Sequence, residues 1–137
     1  MEWGLFGGFL AWCAALCWFD VRQRRLPNVL TLPGAAVALL ACCLFAADGD
    51  WSAPGGAAVW TAINALGFLG RGMGAGDVKL APTLGAAVGW SCGAAAVLPA
   101  VLGAQVITLA WAAVARDRTV PHGPAMCLAA VLVATLG

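Results

Sequence analysis

The chain is constrained above all by long apolar runs that are separated by short connections holding nearly all of its charges. Hydrophobic residues make up 63% of the 137 positions and charged residues only 9%, whereas a soluble domain averages about 25% charged residues. A helix needs about 20 apolar residues to cross a bilayer. The apolar runs cover residues 3–19, 29–47, 54–69, 78–90, 93–115 and 124–137. We therefore expect an all-α, polytopic membrane helix bundle of about six transmembrane helices, filling residues 1–137 as one domain.

Two of these runs are short. Residues 78–90 and 124–137 would each extend only about 20 Å as helix, less than the roughly 30 Å hydrocarbon core. Four or five complete spans therefore remain an alternative. The second helix has two alternative caps, Asn28 after Pro27 or Thr31, and the later start makes Pro33 less disruptive.

The basic residues occupy only alternate connections. They fall in the first, third and fifth, at Arg22, Arg24, Arg25, Arg71, Lys79, Arg116 and Arg118, and the second and fourth contain none. With six helices, all seven lie on one side of the membrane, and the positive-inside rule assigns that side to the cytoplasm. Both termini would then lie outside, and the net charge of +1 gives no indication of a nucleic-acid partner.

The same count places two aspartates together. Asp20 follows the first run and Asp77 follows the third, so both lie at the cytoplasmic membrane edge. Carboxylates at a membrane boundary are costly and call for a functional account. Taken alone, Asp77 could be the N-cap of a helix beginning at Val78. The nearby glycines do not indicate a phosphate-binding loop, because no strand precedes them and no Gly-Lys-Ser/Thr follows.

As a pair, the aspartates suit peptide hydrolysis without a metal or cofactor. An ionised carboxylate can take a proton from water while a protonated one hydrogen-bonds the scissile carbonyl, and close approach makes the two share one proton. Gly74 and Gly76 have no side chains, so we expect them to form a loop along which an extended substrate backbone lies close to Asp77.

Three segments carry a family resemblance. Gly74-Ala75-Gly76-Asp77 resembles the Gly-x-Gly-Asp segment of type IV prepilin peptidases, which are GxGD-type membrane aspartyl proteases. The stretch from Asp20 through the basic residues to Pro27-Asn28 is similar to that family's other signature. Residues 120–124 resemble a family segment of Pro, aromatic, Gly and Pro, with His122 at the aromatic position.

The resemblance implies cleavage of the leader peptide of prepilin or pseudopilin substrates at the cytoplasmic membrane face, with Asp20 and Asp77 as the catalytic pair. Larger members have a cytoplasmic segment with Cys-x-x-Cys motifs that is associated with methylation of the new N-terminus. This chain has no such motif. The resemblance is therefore to compact members that serve Flp-type pili, and we expect no methyltransferase activity.

The remaining reactive residues have simpler interpretations. The cysteines at 13, 17, 42, 43, 92 and 127 lie mostly inside apolar runs and are interpreted as small buried hydrophobes. Metal binding by Cys13 and Cys17 is the less favoured interpretation, and we expect no metal. His122 and Cys127 are poorly placed for a catalytic dyad, because Gly123-Pro124 lies between them. His122 is expected to be a loop residue near the site.

Two other functions remain as alternatives to a peptidase: a small ion- or proton-coupled transporter using intramembrane carboxylates, and a catalytically silent scaffold of pilus assembly. The lipid bilayer is an expected partner. Small residues spaced four apart, at Gly4/Gly8, Gly85/Gly89 and Gly89/Gly93, favour close helix packing within the chain. A homo-oligomer contact through them is the other interpretation.

Overall fold

The regular secondary structure of the described residues is helical. A computed structural model describes residues 2–117 and 119–137, and Arg118, one of the seven predicted cytoplasmic charges, falls outside them. The helices are α1 (Glu2–Gln23), α2 (Asn28–Ala47), α3 (Ser52–Leu69), α4 (Ala75–Cys92), α5 (Val97–Ala115) and α6 (Gly123–Leu136), with one 3₁₀ turn at Ala94–Ala96 before α5. No strand occurs among the described residues, which confirms the all-α class.

Three segments are long and apolar enough to cross a membrane: Trp3–Gln23, Asn28–Ala47 and Ala94–Ala115. The other helices are shorter or less apolar, and α6 has only 14 residues, about 21 Å of helix. The short sixth run therefore folds as a short helix, as its length predicted.

Neither of the two caps predicted for α2, Asn28 or Thr31, is the observed one. Asn28 is already the first helical residue, and Pro27 precedes it in an extended conformation with φ −71° and ψ 134°. The Pro27 carbonyl accepts the N–H groups of Leu30 and Thr31 at 3.0 and 3.1 Å. Thr31 lies within the helix, and its hydroxyl donates to the same carbonyl at 3.2 Å. Pro33 therefore stands inside the helix.

The predicted start of α4 is also wrong. Gly74, extended at φ −80° and ψ 156°, precedes a helix that begins at Ala75. Asp77 is a first-turn residue of this helix and not its N-cap. The earlier start gives α4 18 residues, or about 27 Å, so it is longer than its apolar run indicated.

Close packing of α3 on α4 forms the centre of the bundle. A Cβ placed on Gly85 would contact the carbonyl oxygen of Gly56, and one placed on Gly89 would contact the carbonyl oxygen of Ser52. These glycines let two backbones touch, as small residues do in membrane helices. The Gly85/Gly89 prediction is therefore confirmed as contact within the chain, whereas a Cβ on Gly4, Gly8 or Gly93 would meet nothing within 4 Å.

The first, third and fifth connections meet at one end of the bundle, where residues from all three line one cavity. Three helices, α1, α3 and α5, end here, and each is followed within two residues by an arginine with a left-handed backbone: Arg24 (φ 53°), Arg71 (φ 61°) and Arg116 (φ 53°). A left-handed arginine is strained, but a cation beside a helix C-terminus is favoured by the helix dipole. We call this end the basic end.

Candidate active site

A cavity of about 870 Å³ opens at the basic end. Asp20 from the last turn of α1 and Asp77 from the first turn of α4 both line it. The polar and charged residues that share the lining are Arg24, Arg25, Asn28, Lys79, Gln105, Thr108, Thr119 and His122. The fold therefore brings together the two aspartates that the sequence singled out.

Asp20 is held by the start of α6. Its side chain is only 5% exposed, and its Oδ2 accepts the main-chain N–H of Gly123 at 2.9 Å. A Cβ at position 123 would contact that same oxygen. Glycine is therefore needed where α6 begins, because any larger residue would displace the carboxylate from its donor.

The main chain of Asp77 is held by a hydrogen bond from α3. The Nδ2 of Asn64 donates to the main-chain carbonyl of Asp77 at 3.0 Å and lies 3.7 Å from the sulfur of Met126. Asn64 is fully buried, and its Oδ1 has no hydrogen-bond partner among the described residues. Buried amides are costly to leave incompletely paired, so Asn64 is an unusual residue at this position in the core.

Asn64 had no part in the sequence-based site. An available signal was its amide side chain within the third apolar run, because polar groups inside membrane helices mark functional positions. Its partner could not have been identified, since the donor and the carbonyl belong to different helices.

The glycines before Asp77 differ in their surroundings. Both Gly74 and Gly76 line the cavity. A Cβ on Gly74 would lie 3.8 Å from Asp77 Oδ2, an ordinary contact, whereas a Cβ on Gly76 would lie 3.2 Å from the Cβ of Leu26. Gly76 thus accommodates the buried Leu26 side chain, and Gly74 leaves space open beside the carboxylate.

The cavity rim is tied across the connections. The guanidinium of Arg24 donates to Asp117 Oδ2 at 3.2 Å and to the carbonyl of Thr119 at 3.2 Å. Asp117 Oδ1 in turn accepts the N–H and the hydroxyl of Thr119 at 2.9 and 2.6 Å. These bonds, which we call the Arg24 latch, join the first connection to the fifth. The fifth connection leads directly to Gly123.

Polar pairs also join helices around the cavity. Lys79 Nζ donates to Asn28 Oδ1 at 3.0 Å, linking α4 to the start of α2. His122 Nδ1 lies 2.6 Å from the hydroxyl of Thr108 on α5. Burial lowers the pKa of His122, so the imidazole is neutral at pH 7.

The thiols do not form a recognisable site. Cys13 and Cys127 belong to the buried core, and His122 bonds Thr108 and not Cys127. Within residues 2–117 and 119–137, no group of three or more His, Cys, Asp or Glu side chains is arranged to hold a metal ion. The acidic pair remains the chemically distinctive feature.

A helical membrane bundle with two carboxyl groups facing one cavity at its basic end defines a class of membrane-embedded protein with an acidic site. The chain belongs to the type IV leader peptidase family, whose model matches residues 8–136. The match spans α1 to α6 and includes both aspartates. Neither the curated proteins nor the solved structures gave a match.

Proposed function

We propose that the protein is a membrane aspartic endopeptidase that cleaves the leader peptide of prepilin-like, Flp-type substrates at the cytoplasmic membrane face. The observation that carries this proposal is the cavity at the basic end, which both Asp20 and Asp77 line in a chain of a leader peptidase family. Membership of this family supports peptidase activity, and the two carboxyl groups can activate water for peptide hydrolysis.

In the proposed reaction, the two aspartates act on one water molecule. The ionised carboxyl accepts a proton from water as its oxygen attacks the scissile carbonyl carbon. The protonated carboxyl hydrogen-bonds the carbonyl oxygen and stabilises the tetrahedral intermediate. The carboxyl that took the proton from water then gives it to the amide nitrogen. The C–N bond breaks, and the products are the leader with a new C-terminal carboxyl group and the substrate with a new N-terminus. The two carboxyls titrate as a pair, because repulsion disfavours ionisation of both.

The location of the cavity suits this substrate class. The basic end is assigned to the cytoplasm by the positive-inside rule, which leaves both termini outside. A leader would then reach the acids from the cytoplasm while the apolar segment of its substrate remains in the bilayer. The carboxyls lie at a helix end and a helix start, not at mid-helix positions, which disfavours a transporter with carboxylates at the bilayer midplane.

The test is cleavage of a co-expressed prepilin-like protein by Asp20→Asn and Asp77→Asn variants. We expect both to abolish the shift in substrate size while the enzyme remains in the membrane fraction. Asp48→Asn is the matched control, because Asp48 is an exposed aspartate of the second connection and should leave cleavage unchanged. Cleavage retained by either active-site variant would overturn the mechanism.

A further inference from the structure

The wall that α5 contributes to the cavity is unexpectedly polar. The helix has only two side chains with hydrogen-bonding amide or hydroxyl groups, Gln105 and Thr108, and both line the cavity together with Leu109 and Ala112. The segment Ala94–Ala115 is otherwise apolar enough to cross a membrane. Polar groups in such a segment are costly, and those that face a cavity mark a functional surface.

The two side chains differ in the hydrogen bonds that they make within the protein. The hydroxyl of Thr108 donates to the Ala104 carbonyl at 2.9 Å and meets His122 at 2.6 Å. Gln105 is half-buried, and its carboxamide makes no hydrogen bond to any residue within 2–117 or 119–137. A side chain with two donors and an acceptor therefore faces the cavity with its bonding capacity unused.

Gln105 also lies deep in the site. It lies ten positions before Ala115 at the basic end of α5, which corresponds to about 15 Å of helix. Among the α5 residues that line the cavity, it is the farthest from the basic end. A peptide group that penetrates this far from the membrane edge leaves bulk water, so an N–H or C=O that finds no partner there is costly.

The chemistry of a carboxamide matches that of a peptide group. It offers an N–H donor and a C=O acceptor in one plane, as the main chain of an extended peptide does. Being uncharged, it adds no charge to a site whose function depends on two carboxyls. A cationic or anionic side chain at the same depth would perturb their shared proton.

We propose that Gln105 is a substrate-binding residue whose carboxamide pairs with the main chain of the extended substrate segment lying beside Asp20 and Asp77. This inference rests on the proposed peptidase function and adds to it how the cavity binds the backbone. A bond formed equally with substrate and transition state would affect KM more than kcat.

The experiment uses purified enzyme in detergent and a synthetic leader peptide spanning the cleavage site. A peptide series replaces one amide at a time by an ester, which removes a single N–H donor. We expect Gln105→Leu to raise KM by roughly 3- to 10-fold, as the loss of one hydrogen bond implies, with kcat changed less. The ester that replaces the amide bonded to Gln105 should weaken peptide binding to the wild type. The same ester should not weaken binding to Gln105→Leu any further, because in a double-mutant cycle the bond is already lost.

Gln23→Leu is the matched control, since Gln23 is exposed at the end of α1 and does not line the cavity. Gln105→Met serves as a second apolar variant if Gln105→Leu is recovered poorly. An unchanged KM in both variants, or ester penalties that persist in full, would overturn the proposal. If the wild type cleaves no peptide, the proposed peptidase function is wrong. The role of Gln105 is then tested separately by measuring peptide binding directly, and equal Kd values for wild type and Gln105→Leu would overturn that role.

Discussion

The N–H of Gly123 donates a 2.9 Å hydrogen bond to Asp20 Oδ2 across 103 positions of sequence. This bond ties the last turn of α1 to the first residue of α6. One of the two proposed catalytic carboxyls is therefore oriented by the backbone of another helix, and a side chain at position 123 would place its Cβ against that carboxylate.

Gly123→Ala should abolish most of the activity without unfolding the bundle. The added Cβ would contact Asp20 Oδ2, and loss of a hydrogen bond to a charged group costs about 1.5–3 kcal/mol, or roughly 10- to 100-fold in kcat/KM. The measurement is peptide cleavage by purified enzyme. Gly103→Ala is the matched control, because its Cβ would lie 3.6 Å from the Cβ of Ala129, an ordinary contact. Equal activity of the two variants would contradict the role assigned to Gly123.

Asn64→Leu should lower cleavage by on the order of tenfold while leaving thermal stability nearly unchanged. The variant loses the bond to the Asp77 carbonyl but also removes the buried Oδ1 that has no partner among the described residues, and the two effects on stability oppose each other. The measurements are kcat/KM and the unfolding midpoint in detergent. Thr31→Val is the control, since Thr31 is also fully buried but bonds within its own segment. Activity that falls only in proportion to the midpoint would indicate a purely structural role.

The Arg24 latch should open as the pH falls. The hydroxyl and N–H of Thr119, followed by Arg24, hold the pKa of Asp117 below its usual range. A lowered folded pKa stabilises the fold above the unfolded value of about 3.9, and this contribution is lost as the pH falls through the folded pKa. Limited proteolysis of residues 116–122 should accelerate below about pH 4. The same acceleration is expected at pH 7 in Asp117→Asn, and a protease-resistant loop in that variant would contradict the latch.

His122→Phe should remove one acid-sensitive component of stability. Burial lowers the pKa of His122, so the unfolded chain binds a proton that the folded chain does not once the pH falls below about 6.5. Stability from this group is therefore present above that value and declines towards pH 5. The measurement is the unfolding midpoint between pH 5 and 7 for both proteins. The carboxyls are common to both, so identical slopes would show that His122 makes no contribution.

The helices were predictable because the bilayer imposes a length and a composition on each of them. The apolar runs located all six helices, and the alternation of basic connections placed Asp20 and Asp77 at one end. The errors fell at the starts of α2 and α4, where Pro27 and Gly74 adopt extended conformations that allow the helix to begin at the next residue. Local cap preferences pointed to Asn28 or Thr31 for α2 and to Asp77 for α4, because those side chains can cap a helix; here all three lie inside one.

The sequence by itself determined an all-helical membrane protein with its basic residues at one end and two aspartates beside them, because apolar length and charge placement are local properties of the chain. Only the tertiary structure decided which groups hold those aspartates. The Gly123 N–H reaches Asp20 and the Asn64 amide reaches Asp77 because helices distant in sequence pack together. The cavity wall that contains Gln105 is likewise formed only when α5 faces the loops of the basic end.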